Sequence, residues 1–217
     1  MFNRFIAAVA LAVVSANAQG EQERMQYERW ANAMDKEGYS WEPYTVETKD
    51  GWYLTLFRIT GRTDGRAEHD GRHHAPVLIT HGLSMDAVSW AEVVGEDGSA
   101  SWPLQLVDRG YDVWMASNRG TTPYSDTHRD DGRMSKGEKW DFGFAEMGVY
   151  DQPAFFDKVL EVTGERKLTY MGYSQGTAQM FYALGSMDYL NDKIESAVFI
   201  GPCLYGNFGA TYDTLVY

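Results

Sequence analysis

Between an apolar run that reads as a strand, Lys167–Tyr173, and a run that reads as a helix, Gln175–Met187, stands the pentapeptide Gly172-Tyr173-Ser174-Gln175-Gly176. The bare G-x-S-x-G pattern is weak, and a plain glycine-rich turn also satisfies it. Set between a strand and a helix, it fits a nucleophile elbow. The physics is steric. So sharp a turn forces Ser174 into a strained backbone conformation and lifts its Oγ clear of the sheet. Side chains at Gly172 and Gly176 would collide, and neither has one. A helix starting at Gln175 aims free N–H groups and its positive dipole end at the place where an oxyanion would form.

The remaining pattern supplies a sheet for that turn. Glu21–Lys36 has helix-forming composition, with Met25, Trp30 and Met34 as inward positions. Tyr44–Thr48 and Trp52–Thr60 alternate around the turn signal Lys49-Asp50-Gly51, which predicts a hairpin. Gly61–His74 is rich in charge and glycine and reads as an exposed loop. Ala75–Thr80 and Tyr111–Ser117 are short continuous apolar runs, the mark of strands covered on both faces. Trp140–Thr163 reads as largely helical, with Pro153 near the first turn of its second part and Gly164 as C-cap. Ile194–Ile200 reads as a further strand. Strands alternating with helices after an antiparallel hairpin predict an α/β fold with a mostly parallel sheet.

Composition narrows the function. With 217 residues, 44% hydrophobic and 14% aromatic, the chain can bury a substantial core as one domain or as part of one. Thirty-one acidic against 19 basic residues give a net charge of -12, which repels phosphate backbones and speaks against nucleic acid as a partner. A single cysteine, Cys203, excludes a cysteine zinc cluster and an intrachain disulfide within these residues. At the N-terminus, Arg4, the apolar run Phe5–Val14 and Ala16-Asn17-Ala18 have the layout of a secretory signal peptide spanning residues 1–18. That run is too short to cross a bilayer, and no transmembrane segment is predicted elsewhere. The expected location is therefore the secretory pathway or beyond.

A second functional piece lies upstream. Strand Ala75–Thr80 runs into His81-Gly82-Leu83. An oxyanion hole takes one backbone donor from the residue after the nucleophile, here Gln175, and one from such an earlier loop, here Leu83. Gly82 allows the backbone a close approach. His81 reads as a loop-ordering residue, since in this arrangement the base follows the nucleophile.

The stretches GYSWEPYTVETKDGWYLTLFRI, PVLITHGL, LVDRGYDVWMASNRG, EMGVYDQPAFFDKVLEVTG and KLTYMGYSQGTAQMFYAL run in order from Gly38 to Leu184. Together they resemble the acid lipase family of α/β-hydrolases, which includes gastric and lysosomal acid lipases and steryl ester hydrolases. The resemblance implies an α/β-hydrolase fold over residues 19–217, with Ser174 as nucleophile and Leu83 and Gln175 as oxyanion donors. It also implies a lipid ester substrate (a triacylglycerol or a steryl ester) met at a lipid–water interface, and a secreted, lysosomal or vacuolar location. No cofactor or metal is implied. Tyr173 departs from the family, which usually carries histidine before the serine.

The other departure concerns the base. Serine needs a histidine to take its proton and a carboxylate to orient that histidine. All five histidines (His69, His73, His74, His81 and His128) precede Ser174, whereas the fold's order is Ser, then Asp or Glu, then His. The expectation is that this is the N-terminal part of a longer lipase, ending before the cap and the last strands, with the sheet edge at 194–200 left bare and this part inactive alone. Two alternatives stay open: a non-catalytic lipid-binding protein, and an acyltransferase on the same fold. His128-Arg129-Asp130 echoes a kinase triplet but reads as a solvated turn, and His69, His73 and His74 read as loop residues rather than a metal site.

Overall fold

The computed structural model describes residues 27–66, 74–92, 95 and 98–203. The proposed signal sequence, Met25, His69 and His73 lie outside that set. Helix α1 (Glu28–Glu37) buries Trp30, Ala31 and Met34 along one stripe and stops at Gly38, whose φ of 78° turns its N–H back onto the last carbonyls. Strands β1 (Tyr39–Glu47) and β2 (Trp52–Arg62) form the antiparallel hairpin, turning at Gly51 with φ 103°. Strand β1 begins at Tyr39 rather than Tyr44, because pairing with β2 continues past a bulge at Ser40/Trp41. It is an edge strand, where Pro43 removes no needed ladder bond.

Strands β3 (Val77–Thr80) and β4 (Val113–Ser117) are buried throughout. Between them come two helices that the sequence pattern does not reveal, α2 (Ala87–Glu92) and α3 (Trp102–Asp108), each too short to show a period. Strand β5 (Thr127–His128) pairs with the start of β2. This corrects the reading of 128–130 as a solvated turn. His128 is buried, receives the Asp130 N–H at Nδ1 (3.0 Å), and meets the Asp50 carbonyl through Nε2 (2.8 Å), so it anchors the hairpin turn.

The 140–163 stretch is not one helix. It follows α4 (Lys136–Lys139), whose C-cap is Trp140, and contains α5 (Phe144–Glu146), a π-helical turn at Met147–Asp151, and α6 (Gln152–Thr163), with Pro153 in its first turn and Gly164 at its end. Strand β6 (Leu168–Tyr173), helix α7 (Gln175–Ser186), a 3-10 turn at Asp188–Lys193 and strand β7 (Ile194–Ile200) complete the order.

The sheet runs β1-β2-β4-β3-β6-β7, with β5 beside β2. Pairings are antiparallel from β1 to β4 and parallel from β4 to β7. Alternate residues feed two cores. Phe57, Ile59, Val77, Ile79, Val113 and Met115 join Trp30, Trp90 and Leu104 from α1, α2 and α3. Leu54, Leu56, Leu78, Trp114 and Tyr170 join Phe155, Phe156 and Met180 from α6 and α7. Strand β7 ends the described sheet and exposes Val198 and Ile200. Among the described residues no helix is long and apolar enough to cross a membrane.

Candidate active site

Ser174 sits between β6 and α7 at φ 48°, ψ -110°, in the left-handed half of backbone space that a serine rarely enters. Such a conformation costs about 1–3 kcal/mol and persists only where its surroundings hold it. Here the Ser174 N–H donates to the Ile200 carbonyl (2.9 Å), and Thr177 Oγ1 donates to the Ser174 carbonyl (2.6 Å). The two flanking glycines are required by contact. A Cβ on Gly172 would stand 3.0 Å from the Gly176 carbonyl carbon and 2.9 Å from the Tyr170 ring. A Cβ on Gly176 would stand 2.8 Å from the Thr80 carbonyl oxygen, so α7 rests its first turn directly on the end of β3.

That contact brings in the loop after β3. Strands β3 and β6 pair from Val77↔Thr169 to Thr80↔Gly172, so both leave the sheet at the same level. His81 is buried, with Nδ1 donating to the Gly82 carbonyl (2.8 Å) and Nε2 accepting the Asn118 N–H (3.0 Å). Burial pushes its pKa below the ordinary histidine value. A neutral ring with both nitrogens engaged orders the loop and has no lone pair free to act as a base. Leu83 and Ser84 form the turn, Ser84 at φ 60°. Asp86 then starts α2, accepting the Ser89 N–H (2.8 Å) and the Arg29 guanidinium from α1 (2.6 Å).

Leu83 and Gln175 line one cleft of about 1110 Å³, whose apolar wall is built by Met85, Trp140, Phe142, Phe144 and Met147. The Met147 sulfur accepts the side-chain amides of Gln175 and Gln179, each at 3.0 Å, which ties the π-helical turn to the first turns of α7. Arg119 borders the same cleft, and its buried side chain is shared by Asp151 of the π-helical turn (Nε to Oδ1, 2.8 Å) and Asp50 of the hairpin turn (Nη1 to Oδ2, 2.7 Å). Burial pushes the Asp151 carboxyl up to about 6 against the pull of Arg119. At Asp50 burial also pushes upward, but the bonds from Arg119 and Thr48 outweigh it and leave that carboxyl below its usual range.

The three residues singled out from sequence, Ser174, Leu83 and Gln175, therefore meet at one end of the sheet, with Leu83 and Gln175 on the same cleft. Sequence reasoning missed the Asp50–Arg119–Asp151 group, since residues so far apart carry no spacing signal. Nor did it place Cys203 beside the serine, where its Sγ lies 3.9 Å from Ser174 Oγ. His74 stacks on Tyr111 at 4.0 Å, away from this end. No group of three His, Cys, Asp or Glu side chains that could hold a metal ion occurs among the described residues.

Similarity to known proteins follows the same layout. Over 168 residues or fewer in each case, the chain is 37% identical to human lysosomal acid lipase/cholesteryl ester hydrolase (76% of this chain, 40% of that protein) and 38% identical to a fission yeast (Schizosaccharomyces pombe) protein named a probable lipase (77% and 35%). It is 36% identical over 170 residues to triacylglycerol lipase 2 of Arabidopsis thaliana (77% and 38%). The chain thus spans well under half the length of these curated relatives. Among solved structures, a carboxylesterase from Bacillus subtilis superposes with a TM-score of 0.52 at 16% identity, covering 89% of this chain and 55% of that one, a likeness of fold. Residues 31–93 match the partial alpha/beta-hydrolase lipase region, residues 75–213 match the alpha/beta hydrolase fold, and the chain belongs to the α/β-hydrolase family.

Proposed function

We propose that the whole protein is a serine ester hydrolase that cleaves lipid esters, triacylglycerols or steryl esters, through an acyl-enzyme on Ser174. One observation carries this reading: Ser174, held at positive φ on a strand-to-helix turn, shares its end of the sheet with a large apolar-walled cleft bordered by Leu83 and Gln175. Ser174 Oγ attacks the ester carbonyl carbon, and the backbone N–H groups of Leu83 and Gln175 receive the oxyanion. Collapse of the tetrahedral intermediate expels the alcohol, which takes the proton that a histidine removed from the serine. Water then attacks the acyl-enzyme by the same route in reverse and releases the fatty acid. No histidine follows Ser174 in these 217 residues. The base and its carboxylate are assigned to sequence beyond Tyr217, in keeping with the greater length of the relatives.

The names of those relatives, a cholesteryl ester hydrolase and a triacylglycerol lipase among them, support the lipid ester as substrate. The name of the human relative, a lysosomal acid lipase, supports a destination reached through the secretory pathway, and residues 1–18, read as a signal sequence, fit that route. The test is labelling of the whole protein with a fluorophosphonate, followed by peptide mapping. Label on Ser174, together with loss of ester turnover in Ser174→Ala, is the expected result. Acyl-chain binding without label or turnover would overturn it in favour of a lipid-binding protein, and ester products formed with an added alcohol in preference to free acid would reassign it to acyl transfer.

A further inference from the structure

Tyr173 stands where the resembled lipases usually carry histidine, and the ring has a place of its own. Strand β6 lies between β3 and β7, and the β3–β6 ladder ends at Thr80↔Gly172. Beyond that level no ladder bond ties the loop after β3 to the turn that carries Ser174. The Tyr173 ring fills this gap. A Cβ on Gly82 would stand 2.8 Å from its Cδ1 and 3.1 Å from its Cε1, and a Cβ on Gly201, just after β7, would stand 3.7 Å from Cε2 on the opposite edge. Trp90 of α2 packs edge-to-face on the same ring at 5.8 Å and 77°. One flat side chain thus spans from the 81–84 loop to the chain leaving β7, with the helix that follows the loop packed against it.

We propose that Tyr173 is a positioning residue that fixes the separation between Leu83 and Gln175, and so the alignment of the two oxyanion donors. This rests on the reading of Ser174 as nucleophile. The Gln175 N–H is set by α7, which leans on β3 through Gly176. Leu83 sits on a loop ordered by His81, whose Nδ1 bonds the loop's own Gly82 carbonyl and whose Nε2 accepts the Asn118 N–H just past β4. The Asn118 bond fixes the loop's height above β4, and the Tyr173 ring fixes its distance from Ser174. Donors act on the oxyanion only when placed to a fraction of an ångström. Glycine at 82 is then demanded by the ring, since any side chain there would push the loop away from the turn.

The experiment is steady-state kinetics on the whole protein with a soluble p-nitrophenyl ester, alongside fluorophosphonate titration of competent sites. Tyr173→Phe keeps the ring and should hold kcat within about 2-fold. Tyr173→Ala should lower kcat by roughly 10- to 100-fold, with KM changed less than about 3-fold and the labelled fraction unchanged. Tyr173→Leu, which keeps apolar bulk but loses the flat ring, carries the same expectation and serves if the alanine variant does not fold. Gly82→Ala should lose kcat comparably, and the double variant Gly82→Ala/Tyr173→Ala should be no slower than Tyr173→Ala alone, because the added methyl then meets no ring. Full kcat in Tyr173→Ala or in Tyr173→Leu, a loss seen wholly in the labelled fraction, or losses that multiply in the double variant would each overturn the inference. An unlabelled Ser174 in the wild-type protein would instead remove the nucleophile reading on which it rests.

Discussion

The two faces of the sheet are filled to different extents. On one, α6 and α7 lie along the strands, and Leu54, Leu78, Trp114 and Tyr170 form one buried cluster with Phe155, Phe156 and Met180. On the other, α1, α2 and α3 cover β2, β4 and β3, where Phe57, Ile79, Val113 and Met115 are buried, but the cover stops there. Met171 on β6 is only partly buried, and its partner Val198 on β7 is 41% exposed. Among the described residues, the same apolar alternation thus runs under a helix layer in one half of this face and has no helix over it in the other. Strand sequence alone sets which residues point to a face, while the helices that cross it decide whether those residues leave water.

Four substitutions probe that contrast. Phe156→Ala, on the fully covered face, should cost roughly 3–5 kcal/mol in urea unfolding. Gly176→Ala forces a methyl toward the Thr80 carbonyl; a loss of about 1–3 kcal/mol is expected, with slower labelling of Ser174 as α7 shifts. Val113→Thr places a hydroxyl inside the covered half of the other face and should cost about 1–3 kcal/mol. The identical change at Val198, on the bare half, should stay within about 0.5 kcal/mol in the 217-residue chain. Equal costs at Val113 and Val198 in the whole protein would show that a further segment seals β7 there.

A pH series sharpens the picture at the edge of the covered face. Asp151 takes up its proton near 6 in the fold against 3.8 as a free carboxyl, so between those values the folded state binds more protons than the unfolded one. The contribution of this group to stability is greatest below 3.8, falls as pH rises to 6 and is level above it. Asp151→Asn should remove that slope from thermal midpoints measured across the window. A wild-type slope that survives in the variant would assign it to another group.

Much of this architecture is legible in the sequence, and the limits follow from range. The strand-to-helix turn reads correctly because its constraints are local: Gly172 and Gly176 must be bare for contacts within four residues of each other or against the adjacent strand. Strands β3 and β4 read correctly because burial on both faces leaves continuous apolar runs. Helices α2 and α3 escape because six or seven residues make too few turns to show a period, although Asp86 followed by Ser89 marks the start of α2. The π-helical turn escapes because its Asp151 is held by Arg119, which Asp50 holds in turn, and both come from other parts of the chain. Gly82 reads from sequence as a place needing backbone clearance, but what occupies the space is the ring of Tyr173.

The shared exit level of β3 and β6 also limits how this fold tolerates changes in chain length. Thr80 and Gly172 are ladder partners, and Gly82 and Tyr173 meet just beyond them. An extra residue inserted between Val77 and Gly82 would rotate every later side chain to the opposite face, taking His81 off Asn118 and Gly82 off the Tyr173 ring. The same residue added between α2 and α3, where the chain has already left the ladder, would change none of these contacts. Natural length variation in relatives should therefore gather after the helix that follows the loop, and a designer grafting a new segment near this cleft has room there but none before Leu83.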